Sequence, residues 1–169
     1  MILFHGSNTD IVQIELSRCR PNKDFGKGFY LTTIREQAVR MAQRVARMYG
    51  GSPILNIYEF DDADGNLKSM NVRRFNGPSE EWAKFVITNR NSAKLTGNQE
   101  DSNIDCRFDL VIGPIANDDL ALLFRQFSEG TISVETLVNE MKFKKLTDQY
   151  SFHTEKSLLL LNKKESIRV

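Results

Sequence analysis

Residues 34–49 constrain this chain more than any other stretch. Ile34, Ala38, Met41, Ala42, Val45, Met48 and Tyr49 recur at the spacing of one helix face, while Arg35, Arg40, Arg44 and Arg47 lie mostly off that stripe. Thr33 and Glu36 form a capping-box pattern at its start, and Gly50-Gly51 stops it. Short apolar or β-forming runs flank this helix: Met1 to Phe4 and Gly28 to Thr32 before it, Ile54 to Phe60 after it.

The other elements follow by the same reading. Asn8 to Ile14 is a loop with a short helix, and Arg20 to Gly28 is a polar, glycine-bearing loop. Asp64-Gly65 is a turn signal that joins Ile54 to Phe60 with Leu67 to Val72 in a hairpin. Ser79 caps a helix carrying Trp82, Phe85 and Val86, with Trp82 in the core. Asn91 to Asp105 is a polar loop, Phe108 to Ile115 a buried strand closed by Gly113-Pro114, and Gly130 separates helices over Leu120 to Ser128 and Ser133 to Met141. Asn117 or Asp118 caps the first of these or lines an acceptor loop. Gln149 to Thr154 is a final strand, and Glu155 to Leu161 a short terminal helix or strand extension that belongs to the core. Strands and helices without strict alternation make an α+β domain, a single one over residues 1–169.

Composition narrows the function classes. A net charge of +1 gives no bulk attraction to nucleic acid or membranes, although Arg40/Arg44/Arg47 and Arg73/Arg74 are local basic clusters. Two histidines and two cysteines without a CxxC spacing are too few for a structural zinc site, so no metal is expected. The N-terminal residues lack the basic and long apolar segments of a signal peptide, and no apolar run approaches membrane-span length; the expected location is the cytoplasm.

Two short segments carry the chemistry: Leu3-Phe4-His5-Gly6-Ser7, and Phe25-Gly26-Lys27-Gly28-Phe29-Tyr30-Leu31. Taken singly they read as a strand-end histidine, a glycine turn and a core tyrosine. Their order resembles the ADP-ribosyltransferase superfamily, closest to the branch shared by diphtheria toxin and the poly(ADP-ribose) polymerases, with its His–Tyr–Glu triad. It also resembles a less characterised set of small bacterial domains of that superfamily. The resemblance is strongest over residues 3–49 and returns weakly near Asp109 to Asp118 and Gln149 to Leu161.

The resemblance implies an ADP-ribosyltransferase-like fold of split antiparallel sheets with flanking helices, and NAD as a substrate without a metal. It assigns catalytic places to His5, Tyr30 and Gln149, the last standing where the family has glutamate. His5 would hold the adenosine ribose. The Gly6 backbone and the Ser7 hydroxyl would pair with the nicotinamide carboxamide, which no Cβ would obstruct at Gly6, and the Tyr30 ring would stack on nicotinamide. Gly26 and Gly28 would turn the chain beside the ligand. Lys27 or Arg20 would meet the pyrophosphate or remain solvated loop charges. Met41 stands where the family has a second aromatic, either packing on the ring through sulfur or completing the helix's core stripe. Glu155 and Asp148 are alternative sources of the carboxylate that Gln149 lacks. The implied activity is mono-ADP-ribosylation of a macromolecule, protein before nucleic acid, in a bacterial toxin or effector with an antitoxin partner; a non-catalytic NAD or ADP-ribose binding module and an NAD glycohydrolase are the alternatives.

Overall fold

Short runs of β-branched and aromatic residues pair into one sheet in a computed structural model that describes residues 1–91, 102–116, 118–142 and 146–169. The strands are β1 (Ile2–Ser7), β2 (Phe29–Thr32), β3 (Ile54–Phe60), β4 (Val72–Arg74), β5 (Leu110–Pro114), β6 (Asp148–Phe152) and β7 (Leu161–Arg168), in the order β4-β5-β6-β2-β1-β3-β7. Among the described residues only the β4–β5 pair is parallel; the other pairs are antiparallel. The helices are α1 (Arg35–Tyr49), α2 (Asp64–Lys68), α3 (Glu80–Arg90), α4 (Asp118–Ser128), α5 (Val134–Lys142) and α6 (Glu155–Leu158). The domain is α+β, with a seven-stranded mixed sheet rather than a purely antiparallel one. Among the described residues no helix is long and apolar enough to cross a membrane.

Both faces of the sheet are covered, one of them in two separate patches. On that face α1 presses Ala38 and Ala42 against β1, with Val39 turned toward Phe4 and Ile167, while α3, α4 and α5 build a second core around Trp82, Phe85, Leu120, Phe124 and Leu137 over β5. Trp82 is fully buried, and its indole N–H donates to the Pro114 carbonyl at 3.1 Å. The opposite face packs Leu3, Phe29, Leu31, Tyr58, Phe60 and Phe152 beneath the 11–19 segment.

Several local expectations are corrected. Ile54 to Phe60 does not form a hairpin with Leu67 to Val72: β3 has apolar residues on both faces, so it lies inside the sheet between β1 and β7, and β4 joins β5 instead. Asp64-Gly65 opens α2, where Asp61 accepts from the Asn66 side chain at 2.7 Å. The Thr33/Glu36 capping box is not made. Thr32 Oγ1 accepts from the Ile34 amide at 3.2 Å and donates to Gln37 Oε1 at 2.7 Å, tying the helix start to β2. The capping box that does form joins Thr154 and Ser157 in α6. Of the α1 stripe only Ala38 and Ala42 are buried, whereas Met41, Met48 and Tyr49 are exposed. The Leu158–Leu161 run is divided, Leu160 in the core and Leu159 in solvent. The polar 91–105 segment ends in buried structure: Ser102 and Asn103 have no exposed surface, and Asn103 bonds Asn89 and Phe108. Asn117 and the side chain of Asp118 lie outside the described residues.

Candidate functional site

The sheet is nearly split between β1 and β2. β1 runs flush with β3 for six residue pairs, from Ile2↔Glu59 to Ser7↔Ile54, but meets β2 at Phe4↔Thr32 alone. Met1 and Phe60 exchange both backbone bonds, at 2.8 and 2.7 Å. Antiparallel alternation therefore turns the odd residues of β1 toward β3 and the even ones toward β2. Phe4 finds Thr32. Beyond it no residue pair is formed, and by the same parity the N–H and C=O of Gly6 are directed at this gap in the pairing, on the side of Tyr30.

His5 fills part of that gap. Its Nδ1 lies 2.8 Å from the Tyr30 carbonyl, the group that the Gly6 amide would take in a continuous ladder. A carbonyl only accepts, so Nδ1 carries the proton and Nε2 is an acceptor, without a protein partner among the described residues. The ring stacks on Phe29 at 4.5 Å. Burial lowers the imidazole pKa against the smaller opposing effect of the Tyr30 bond, so His5 is neutral near pH 7. Ser7, next along the strand, is largely buried, and its hydroxyl has no protein partner among the described residues.

Tyr30 is held at both ends. Its hydroxyl donates to the Gly26 carbonyl at 2.7 Å and accepts from the Phe25 amide at 3.0 Å. Burial, the largest influence, raises its pKa far above the ordinary tyrosine range, so it stays a neutral phenol. Gly26 has φ +91°, which makes this tight return possible. Phe25 lies behind the ring at 6.5 Å, and His153 meets it edge-on at 6.2 Å. His153 spans loop and sheet: Nδ1 donates to the Lys27 carbonyl at 2.8 Å, leaving Nε2 to accept from the Ser151 hydroxyl at 2.8 Å. Its burial pushes the imidazole pKa down to about 4. Gly28 lies so close to this ring that a Cβ there would stand 2.6 Å from Nδ1.

Gln149 lies on β6 opposite Thr32, two residues from the Ser151↔Tyr30 pair and hence ~7 Å diagonally from Tyr30 at the backbone. It is buried. Its Nε2 donates to Asp24 Oδ2 at 2.9 Å and approaches the Pro114 carbonyl at 3.5 Å. Both neighbours are acceptors, so the amide orientation is fixed and Oε1 turns away from them, without a protein partner among the described residues. Asp24 also accepts from the Ala116 amide at 3.0 Å and from Arg90 Nε at 2.8 Å, and it pairs with Arg90 Nη2 at 2.7 Å.

The remaining expected residues divide. Gly6 is a glycine for α1, not for a ligand: a Cβ there would stand 2.0 Å from the Ala38 carbonyl oxygen. Its backbone still borders the gap. Met41 is half exposed and is not core. Gln37, one turn before it, bonds Thr32 and Thr147 at 2.7 and 3.3 Å, which places Met41 on the flank of α1 that faces β2 and β6. Arg20 lies over the Tyr49 ring at 4.7 Å and donates to its hydroxyl at 3.0 Å, so it is engaged with the end of α1. The Lys27 side chain is exposed. Asp148 and Glu155 are exposed too. Asp148 alternates to the strand face opposite Gln149, and Glu155 lies beyond the far end of β6 in α6.

Asp24, Arg90, Gln37 and His153 are site elements that sequence reasoning passes over. A lone acid in a polar loop and an arginine in a helix's last turn read as solvated charges, although Asp24 immediately precedes the Phe25-Gly26-Lys27-Gly28 motif. Together the site offers an open backbone donor and acceptor, a fixed aromatic face, a hydroxyl and two neutral acceptors, His5 Nε2 and Gln149 Oε1. Residues 1–162 match the family DUF3990, a protein of unknown function, and the chain belongs to that family. No curated protein and no solved structure matches it.

Proposed function

We propose that this domain is a mono-ADP-ribosyltransferase that binds NAD with its nicotinamide in the gap between β1 and β2. The observation that carries this reading is the interrupted ladder, which leaves the Gly6 amide and carbonyl open opposite Tyr30. A primary carboxamide has the matching acceptor and donor, and the Ser7 hydroxyl supplies a further bond. Tyr30 offers its ring to the flat, cationic nicotinamide, and the half-exposed Met41 lies on the same flank of α1 as Gln37. The near-split sheet agrees with an ADP-ribosyltransferase-like fold. His5 Nε2 and Gln149 Oε1 serve as acceptors for ribose hydroxyls.

In the reaction the bond between nicotinamide nitrogen and the ribose anomeric carbon breaks, and its electron pair neutralises the pyridinium. The anomeric carbon takes up an acceptor nucleophile, which loses its proton. Positioning and fixed dipoles supply the catalysis. A protein acceptor in a bacterial toxin or effector setting, with an antitoxin that covers the gap, completes the proposal. The uncharged Gln149 favours a second reading, a module that holds NAD or hydrolyses it slowly, because a neutral hydrogen bond supports a developing positive charge about half as well as an ionic one.

Incubation of the purified protein with labelled NAD and a bacterial lysate separates these readings. A labelled macromolecule that disappears with His5→Ala and Gln149→Ala establishes the transferase. Nicotinamide release without label makes water the acceptor. NAD binding alone leaves a binding module.

A further inference from the structure

The contact between Gln149 and Asp24 bears on why a glutamine occupies the place where a glutamate is expected, and it rests on the function proposed above. Asp24 is only 8% exposed, and four donors converge on it: Arg90 Nε and Nη2 on or beside Oδ1, the Ala116 amide and Gln149 Nε2 on Oδ2. Three of these belong to a structural anchor, since they join the 20–28 loop to α3 and to the end of β5. The fourth does something different. It engages the donor half of the Gln149 amide and leaves the acceptor half turned away from Asp24 and Pro114, on a strand residue paired with Thr32 of β2.

We infer that Asp24 is a positioning residue that fixes the Gln149 amide with Oε1 toward the nicotinamide-side ribose, so that glutamine is the functional residue at 149 and a glutamate there is excluded by Asp24. A carboxylate at 149 would place two acidic oxygens at the 2.9 Å now spanned by a hydrogen bond. Like charges so close cannot both stay ionised, so one would take a proton or swing away. Glutamine removes that conflict and keeps the acceptor. The site charge then resides on Asp24, one hydrogen bond behind the ribose, where Arg90 balances it.

The test compares the parent with Gln149→Glu, Asp24→Asn and the double variant Asp24→Asn/Gln149→Glu, reading NAD affinity, nicotinamide release and melting temperature from pH 5 to 8. At pH 7.5 Gln149→Glu melts ~5 °C or more below the parent and recovers as pH falls and the added carboxyl takes a proton. Its NAD affinity falls about tenfold, the loss of one well-placed hydrogen bond. The double variant restores an amide donor facing a carboxylate but sets that donor against the Ala116 amide too, so it melts below the parent; it regains most of the NAD affinity and turnover that Gln149→Glu loses, even where Asp24→Asn alone does not fold. A merely structural Asp24 would not be rescued by exchanging the two groups. The inference is overturned if Gln149→Glu alone keeps the parent's melting profile and turns over NAD faster. It is equally overturned if the double variant folds yet binds no NAD. A parent that binds no NAD defeats the proposed function itself, whereas a pH-dependent melting loss in Gln149→Glu still establishes the Asp24 contact.

Discussion

The two edges of β2 behave differently. Toward β6 the strand pairs at all four of its residues, from Phe29↔Phe152 to Thr32↔Gln149; toward β1 it pairs at Thr32 alone. The closed edge is sealed by buried neighbours on both faces, Leu31 and Phe152 on one and Ser151 and His153 on the other. At the open edge a side chain takes the place of the backbone: His5 gives its ring N–H to Tyr30, and Gly6 forms no residue pair with β2. A strand with one satisfied edge and one interrupted edge has the stability of a sheet and, within a residue of it, hydrogen-bonding groups free for a ligand.

The largest test strikes the support of the open edge. β1 gains little from β2 and is held by β3 and α1, and Gly6→Ala drives a methyl into the Ala38 carbonyl and within 2.6 Å of the Ala42 amide. Both obstacles are backbone, and the substitution costs more than about 3 kcal/mol in urea denaturation. A milder loss would mean that β1 can move toward β2.

Acid attacks the closed edge next. His153 has a pKa near 4 in the folded chain against 6.5 when unfolded, so between those values the unfolded chain binds more protons than the folded one. Stability is complete above pH 6.5 and falls as the pH drops toward 4, by about 3 kcal/mol for this residue. His5 is shifted in the same direction. In denaturation curves across this window, His153→Gln flattens the slope, and His5→Gln flattens it in the same sense.

Tyr30→Phe reaches both edges through the loop. It leaves the Phe25 amide and the Gly26 carbonyl without their partner, at a cost of ~2 kcal/mol read by thermal melting. The aromatic face toward the gap stays, so nicotinamide inhibition changes far less than stability does. The smallest effect sharpens the open edge: Met41→Tyr adds a second ring on the cleft flank of α1 and tightens NAD binding about threefold by calorimetry.

These contrasts mark what the sequence could carry. Periodicity located α1, α3, α4 and α5 and the cores of β1, β2, β5 and β6, because each has an apolar face that repeats locally. It misplaced the partners of β3, since Asp64-Gly65 is an equally good turn or helix start and only distant residues decide between them. It missed β7, whose Leu161-Asn162-Lys163-Lys164-Glu165-Ser166-Ile167-Arg168 lies at the sheet edge and is polar from Asn162 to Ser166. The candidate site drew on the sequence at His5, Gly6, Ser7 and Tyr30, which the fold brings to the facing edges of β1 and β2. It was not legible at Asp24 and Arg90, whose meaning depends on a contact across 66 residues, nor in the reason for Gly6, which comes from a helix on the far side of the strand.

The late arrival of β7 has a kinetic consequence. It pairs with β3 along seven positions, from Ile54↔Arg168 to Phe60↔Leu161, roughly a hundred residues after β3 is made. During synthesis β3 can pair with β1 at once, but its outer edge, bearing Leu55 and Ile57, waits for nearly the whole domain to leave the ribosome. In that interval the nascent chain presents an unpaired apolar strand. The lysines and glutamate of β7 then close that edge with charge, so the chain is most open to mispairing before its last strand is in place and best protected from it afterwards.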